Sequence, residues 1–254
     1  MGDLYGSLAW CYDFITTGIG HEEEAKFVKK IVKKYKTSKG NKLLDVCCGH
    51  GWHDKFLKNK FEITGIDASK TILKIAKKRN PEINYKNGDM RTFSLNKKFD
   101  VVMSFDGMMY NLNYRDLEKT IKNLARHLAE GGVLIFHLDR LRENFKQFGI
   151  ISNPEGHQFF RGNTYLTYFQ IDYDKDTKDN VFESCLVFIF AKKGRNMKVK
   201  VDIEKMGMFE LAKIKKILSN LGFKVFVYSG DFSGKKYSDK SPCPVFVCVR
   251  NRKL

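Results

Sequence analysis

Three aspartates fall where short apolar runs end. Asp45 follows Leu43 and Leu44, Asp67 closes the run 61–66, and Asp89 comes just after the run 83–86. If those runs are parallel strands, the three carboxylates line one crevice at the carboxyl end of a sheet, where open α/β sheets bind ligands. One aspartate in such a place is commonly a turn or helix cap. Three in register point to a ligand. A carboxylate closing the second strand can accept both hydroxyls of a ribose, through charge-assisted hydrogen bonds of about 1.5–3 kcal/mol each.

The stretch 43–51, Leu-Leu-Asp-Val-Cys-Cys-Gly-His-Gly, narrows the ligand. An apolar run entering two glycines one residue apart is a buried strand turning tightly into a helix. Gly49 and Gly51 can take positive φ, and without Cβ atoms they let a ligand lie on the backbone. A dinucleotide loop wants a third glycine three residues on; Asp54 stands there, a poor neighbour for pyrophosphate. Asp89 offers a carboxylate to an exocyclic amine, and Met90 a soft contact to a purine face. Ribose, adenine and a tail without phosphates together describe S-adenosylmethionine. Cys47, Cys48, His50 and His53 are metal-ligand types, but Cys48 and His50 lie inside the glycine turn, so no metal is expected.

The elements that must hold these residues alternate. Ala25, Phe27, Val28, Ile31 and Val32 recur at helical spacing, with Glu22, Glu23 and Glu24 at the start and lysines at the end. Strands are expected at 42–47, 61–66, 83–86, 99–104 and 133–138. Helices are expected to about 58, over 69–79, and over 114–128, the last closed by Gly131-Gly132. This rhythm predicts an α/β fold, a Rossmann-like doubly wound seven-stranded sheet. Between 158 and 201 strand-like runs follow one another without helices, with Asp174-Lys175-Asp176 as a hairpin tip. That is an inserted antiparallel β lid. A helix over 210–220 and strands at 223–228 and 245–249 then complete the sheet. The expected division is 1–157 for the main α/β part, 158–206 for the lid, and 207–254 for the closing elements. Tyr5, Trp10, Tyr12 and Phe14 make the first twenty residues too apolar for a free tail.

Composition bounds the rest. The chain has 254 residues and a formal charge of +17, mostly lysine spread over the helix faces. Solvated helices account for that charge, and no aromatic-interleaved basic stripe argues for nucleic acid. The longest apolar run, 185–191, is too short to span a bilayer, and the N-terminus lacks a signal pattern. Six scattered cysteines in a chain of this size fit reduced thiols and a cytoplasmic location.

On these motifs the chain resembles the class I S-adenosylmethionine-dependent methyltransferases. Residues 45–51 match the Asp-x-x-Cys-Gly-x-Gly form of the core motif, 65–69 resembles the ribose motif, 88–91 the adenine motif, and 128–132 the turn before the fifth strand. Tyr12-Asp13, His53, residues 88–93 and the inserted β segment are similar, more narrowly, to amino-sugar N-methyltransferases and their glycine and sarcosine relatives. The resemblance implies S-adenosylmethionine held by Tyr12, Asp45, Cys47, Gly49, Gly51, Asp67, Ala68, Asp89, Met90 and Phe105. It implies catalytic roles for Tyr12 and Tyr110; His137, from its position after the fifth strand, is the candidate base. Where those enzymes carry a Glu-Pro-Trp-like stretch, this chain has His137-Leu138-Asp139-Arg140.

The expected reaction is in-line methyl transfer to a small-molecule amine, possibly on a nucleotide-linked sugar, in which alignment supplies much of the acceleration. A rival is methylation of RNA or another nucleic acid. Base-amino enzymes resemble one another in an Asn/Asp-Pro-Pro-aromatic stretch after strand 4, whereas Ser104-Phe105-Asp106-Gly107 stands here. A second rival is a cofactor-binding domain without catalysis. Either a monomer or a homodimer fits the sequence.

Overall fold

The computed structural model describes residues 2–11, 18–151, 157–161 and 164–250. The α/β part runs α1 (Gly18–Tyr35), β1 (Lys42–Val46), α2 (Trp52–Leu57), β2 (Glu62–Asp67), α3 (Lys70–Arg79), β3 (Asn84–Asn87), β4 (Phe99–Ser104), α4 (Tyr114–His127) and β5 (Leu128–His137). The lid follows as β6 (Gly149–Ile151), β7 (His157–Arg161), β8 (Thr164–Tyr173), β9 (Val181–Lys192) and β10 (Lys198–Gly207). Then α5 (Leu211–Asn220), β11 (Phe223–Ser229) and β12 (Pro244–Arg250) return to the main sheet.

That sheet has seven strands in the order β11-β12-β5-β4-β1-β2-β3. It is parallel from β5 to β3, and β12 runs antiparallel to both β5 and β11. Side chains alternate across a strand, so a strand buried on both faces feeds two cores. Leu44, Val46, Val102, Leu134 and Phe136 pack with α4 and α5, while Leu43, Val101, Met103, Val133 and Ile135 pack with α1 and α2. The order reverses between β1 and β4, which opens the crevice there.

Two expected boundaries shift. Gly131-Gly132 does not close α4; that helix ends at His127 and β5 starts at once, with both glycines inside its first turn of strand. Gly131 has φ of 71° and its carbonyl accepts the N–H groups of Thr37 and Ser38 at 2.8 and 3.0 Å. A Cβ there would lie 2.9 Å from the Ser38 nitrogen, so close backbone approach requires the glycine. The lid sheet also begins at Gly149, ahead of residue 158, because β6 pairs with β8.

The N-terminal residues form a strap. Leu4, Leu8 and Cys11 pack against Leu166, Leu186 and Phe188 of the lid. The Gly2 N–H donates to Glu204 and the Leu4 N–H to Asp202, each at 2.7 Å, while the Ser69 hydroxyl donates to the Tyr5 carbonyl at 2.7 Å. The strap therefore joins the lid to the end of β2.

Candidate active site

The crevice at the switch point has a volume of about 650 Å³. Cys47, Gly49, His50, Asp67, Ala68, Asp89, Met90 and Tyr110 line it, so most of the expected cofactor residues do converge. Cys47, Gly49 and Gly51 all have positive φ, at 60°, 52° and 70°. A Cβ on Gly49 would meet no atom within 4 Å, so this backbone faces open space. Asp67 is buried, and its two oxygens accept the N–H groups of Gly49 at 3.0 Å and Ser69 at 2.8 Å. Burial raises its pKa against the pull of those donors. One carboxylate thus pins the glycine turn to the start of α3 while lining the cavity.

Asp89 lines the cavity too, but its oxygens are held by Arg91, Nε at 2.9 Å and Nη2 at 2.6 Å. Arg91 outweighs partial burial and keeps the carboxyl below its ordinary pKa. Asp89 therefore reaches a ligand only through its remaining lone pairs. Met90 is buried beside it, its sulfur 3.7 Å from that of Cys47.

Three of the expected cofactor residues lie off the cavity wall. Asp45 and Gly51 sit beneath the turn, where a Cβ on Gly51 would lie 2.5 Å from the Tyr85 hydroxyl. Asp45 faces Asp54, and burial followed by mutual repulsion raises the Asp45 pKa well above its usual value. Asp54 is pushed up to about 6, again by burial first, despite accepting the Tyr85 hydroxyl at 2.7 Å. Asp45 Oδ2 and Asp54 Oδ1 otherwise lack donors among the described residues, so one proton shared between them satisfies both. Asp54 is thus part of the loop's foundation and does not face the ligand as the spacing suggested. Phe105 is a core residue, packed against His53, His137 and Phe232, because its strand register turns it to the α1 face.

The carboxyl pair predicts an inverted acid response. A raised carboxyl binds more protons folded than unfolded between pH ~4 and 6, so stability falls as pH rises through that window. Asp54→Asn should flatten this slope and raise unfolding free energy at pH 8 by about 1–3 kcal/mol, read from urea titrations at pH 5 and 8.

The acceptor end of the crevice differs most from expectation. Tyr12 lies outside the described residues. Tyr5 lines the cavity, its hydroxyl 2.6 Å from that of Tyr110 and the rings edge-on at 5.6 Å. Burial, and then Tyr110, raises the Tyr5 pKa well above 10, so this phenol stays neutral. His137 is buried and off the cavity wall; its Nε2 meets Asp139 at 2.8 Å and Asp106 at 3.0 Å. Burial opposes its charge, but the two carboxylates outweigh burial and raise its pKa well above the ordinary value. The geometry holds His137 as a clamp between the two carboxylates. Asp106, which lines the cavity with φ of 57°, is favoured as a carboxylate: burial raises its pKa, and His137 outweighs that to hold it well below normal. His53 pairs with Glu24 behind Phe105, and His127 is satisfied by Asn123 and the Leu95 N–H. All six cysteines are free thiols.

An open doubly wound sheet with a glycine turn and an acid-lined switch point defines a class first: an α/β domain that holds a nucleoside-bearing ligand. Comparison with known proteins narrows it. Residues 43–132, the segment from β1 into β5, match the family model of the methyltransferase domain. The chain is similar to a dTDP-3-amino-3,6-dideoxy-alpha-D-glucopyranose N,N-dimethyltransferase of Streptomyces fradiae, 32% identical over 56% of this chain and 57% of the relative. It is also similar to a putative methyltransferase of Geobacillus sp., 24% identical over 97% of this chain and 99% of the relative. DesVI of Streptomyces venezuelae superposes with a TM-score of 0.82 at 25% identity, covering 96% of this chain and 98% of that one. The chain spans little more than half the length of the first of these curated relatives. The Rossmann-like methyltransferase fold is thereby established.

Proposed function

We propose that the chain is an S-adenosylmethionine-dependent methyltransferase acting on the amine of a small molecule, and that the acceptor is a nucleotide-linked amino sugar. The observation that carries this reading is the open backbone of Gly49 hydrogen-bonded to Asp67 on the wall of one cavity. The residues fit the cofactor: the turn at 47–49 would present backbone to the methionine tail, Asp67 and Ala68 would hold the ribose, and Met90 would meet the purine face. When bound, S-adenosylmethionine supplies an electrophilic methyl group on a sulfonium centre. The names of the amino-sugar relatives support the acceptor class.

The chain's own residues then orient the nucleophile. Asp106 lines the cavity where it can accept a hydrogen bond from the incoming amine, with the hydrogen-bonded hydroxyls of Tyr5 and Tyr110 on the same wall. Among the described residues lining the cavity none is a histidine or lysine placed as a strong base beside Asp106, so in this reading the acceptor reacts as the free amine and positioning carries the rate. Among the described residues no helix is long and apolar enough to cross a membrane.

Incubation with S-adenosylmethionine and a dTDP-linked amino sugar should yield mono- and dimethylated product by mass spectrometry. Turnover on RNA, with a salt-sensitive mobility shift, would replace this reading with the nucleic-acid rival. Cofactor binding without turnover on any amine would replace it with a non-catalytic domain.

A further inference from the structure

Three side chains of metal-ligand type meet where α1 faces the start of α2. His21 and Glu24 stand three residues apart in the first turns of α1, so they share one helix face. His53 is the second residue of α2, just after the glycine turn. One ligand atom of each lies within 4.8 Å of the other two. His53 is buried, and its Nε2 contacts the carboxylate of Glu24, whose side chain is 18% exposed. The two imidazole rings stand edge-on at 4.8 Å. Aromatic rings wall the cluster, with Phe105 against His53 at 5.2 Å and Trp52 stacked on His21 at 6.3 Å.

We propose that His21, Glu24 and His53 bind one divalent transition-metal ion, with zinc the best fit, and that this ion staples α1 to the helix leaving the glycine turn. The position of Cys48 and His50 within that turn spoke against a metal set there; His53 finds its partners on α1 instead. Two imidazoles and a carboxylate are the donor set of three-ligand zinc sites, which keep a fourth position for water. Nitrogen donors disfavour calcium and magnesium, which take oxygen. The spacing also fits. Ligand atoms at about 2.0–2.2 Å from a tetrahedral ion stand ~3.4 Å from one another. His21 and Glu24 are partly exposed, so rotation of side chains on α1 can close the present separations. Local charge agrees. Lys26 pairs with Glu22 and Glu23, at 3.2 and 2.8 Å, which leaves Glu24 turned to the histidines. A Glu–His ion pair needs two residues; a second imidazole within reach of both makes the set a chelate.

The test uses the full chain, stripped with a chelator and titrated with zinc by calorimetry. One ion should bind per chain, and zinc at ~100 times its Kd should raise the thermal midpoint by about 5–10 °C. His21→Ala should weaken zinc binding by at least ~100-fold, more than the loss of a residue that merely supports a ligand. If His21→Ala does not fold, Glu24→Gln decides by the same measurement. Cobalt in place of zinc should show visible d–d bands without the charge-transfer absorption of a cobalt–thiolate bond, since the set holds no cysteine. The proposal is overturned by a wild type that binds no zinc, or by a folded His21→Ala or Glu24→Gln that binds it like the wild type. A cobalt–thiolate band, or equal stabilisation by calcium or magnesium, overturns it too. So does zinc binding lost in Asp139→Asn and kept in His21→Ala, which puts the ion on the His137 clamp. These outcomes do not depend on the methyl-transfer reading.

Discussion

Asp67→Ala should reduce binding of S-adenosylmethionine and S-adenosylhomocysteine by at least 100-fold in isothermal titration calorimetry. Two charge-assisted hydrogen bonds to a ribose, at about 1.5–3 kcal/mol each, are lost together. The substitution also frees the N–H groups of Gly49 and Ser69, so the glycine turn loses its anchor to α3. Asp67→Asn separates the two effects. It keeps one acceptor oxygen but no charge, and it should bind with an affinity between those of the wild type and Asp67→Ala. If NADH binds the wild type and neither sulfonium compound nor its product does, the cofactor assignment is wrong. Unchanged affinity in Asp67→Ala would equally sink the ribose role.

Much of this was legible because it rests on short-range pattern. The apolar runs ending at Asp45 and Asp67 showed the strands, and the glycine pair showed the turn. Burial of β1 and β4 on both faces is what makes those runs continuous. What sequence reasoning missed depends on distant contacts. Tyr5 reaches the site because the strap is tied to Asp202 and Glu204, some two hundred residues away, and nothing local signals that tie. The resemblance pointed to Tyr12, and Tyr5 stood out only as one of the aromatics that make the first twenty residues too apolar for a free tail. The Asp45–Asp54 contact joins a strand end to a helix start, so spacing suggested a ligand-facing Asp54 where the structure has a buried one. The Asp89–Arg91 pair was different: two residues apart, it could have been anticipated from the chain itself.

His137 is where the two readings lead to opposite experiments. As a base it would lie in the cavity with a pKa near 6.5, and activity would rise as it lost its proton. As a clamp it is already protonated, held between Asp106 and Asp139, and deprotonation would loosen Asp106 at the cavity wall. The sign of the stability effect follows. A histidine whose folded pKa is raised contributes fully below its unfolded pKa of about 6.5 and loses that contribution as pH rises through the higher folded value. Asp106, whose pKa is depressed, contributes above about pH 4 and loses its share as pH falls through the folded value. These are two views of one interaction, counted once, and they place its plateau between about pH 4 and 6.5. Because both carboxylates are nearly half exposed, water screens the pair, and His137→Gln should lose only about 1–2 kcal/mol on that plateau. The deficit should shrink at alkaline pH, where the wild type has lost the same interaction. Asp106→Ala should raise KM for the amine acceptor 10- to 100-fold with cofactor affinity unchanged, the loss of about one charged hydrogen bond. An inflection near pH 6.5 in the wild-type kcat/KM profile that vanishes in His137→Gln would restore His137 as the base.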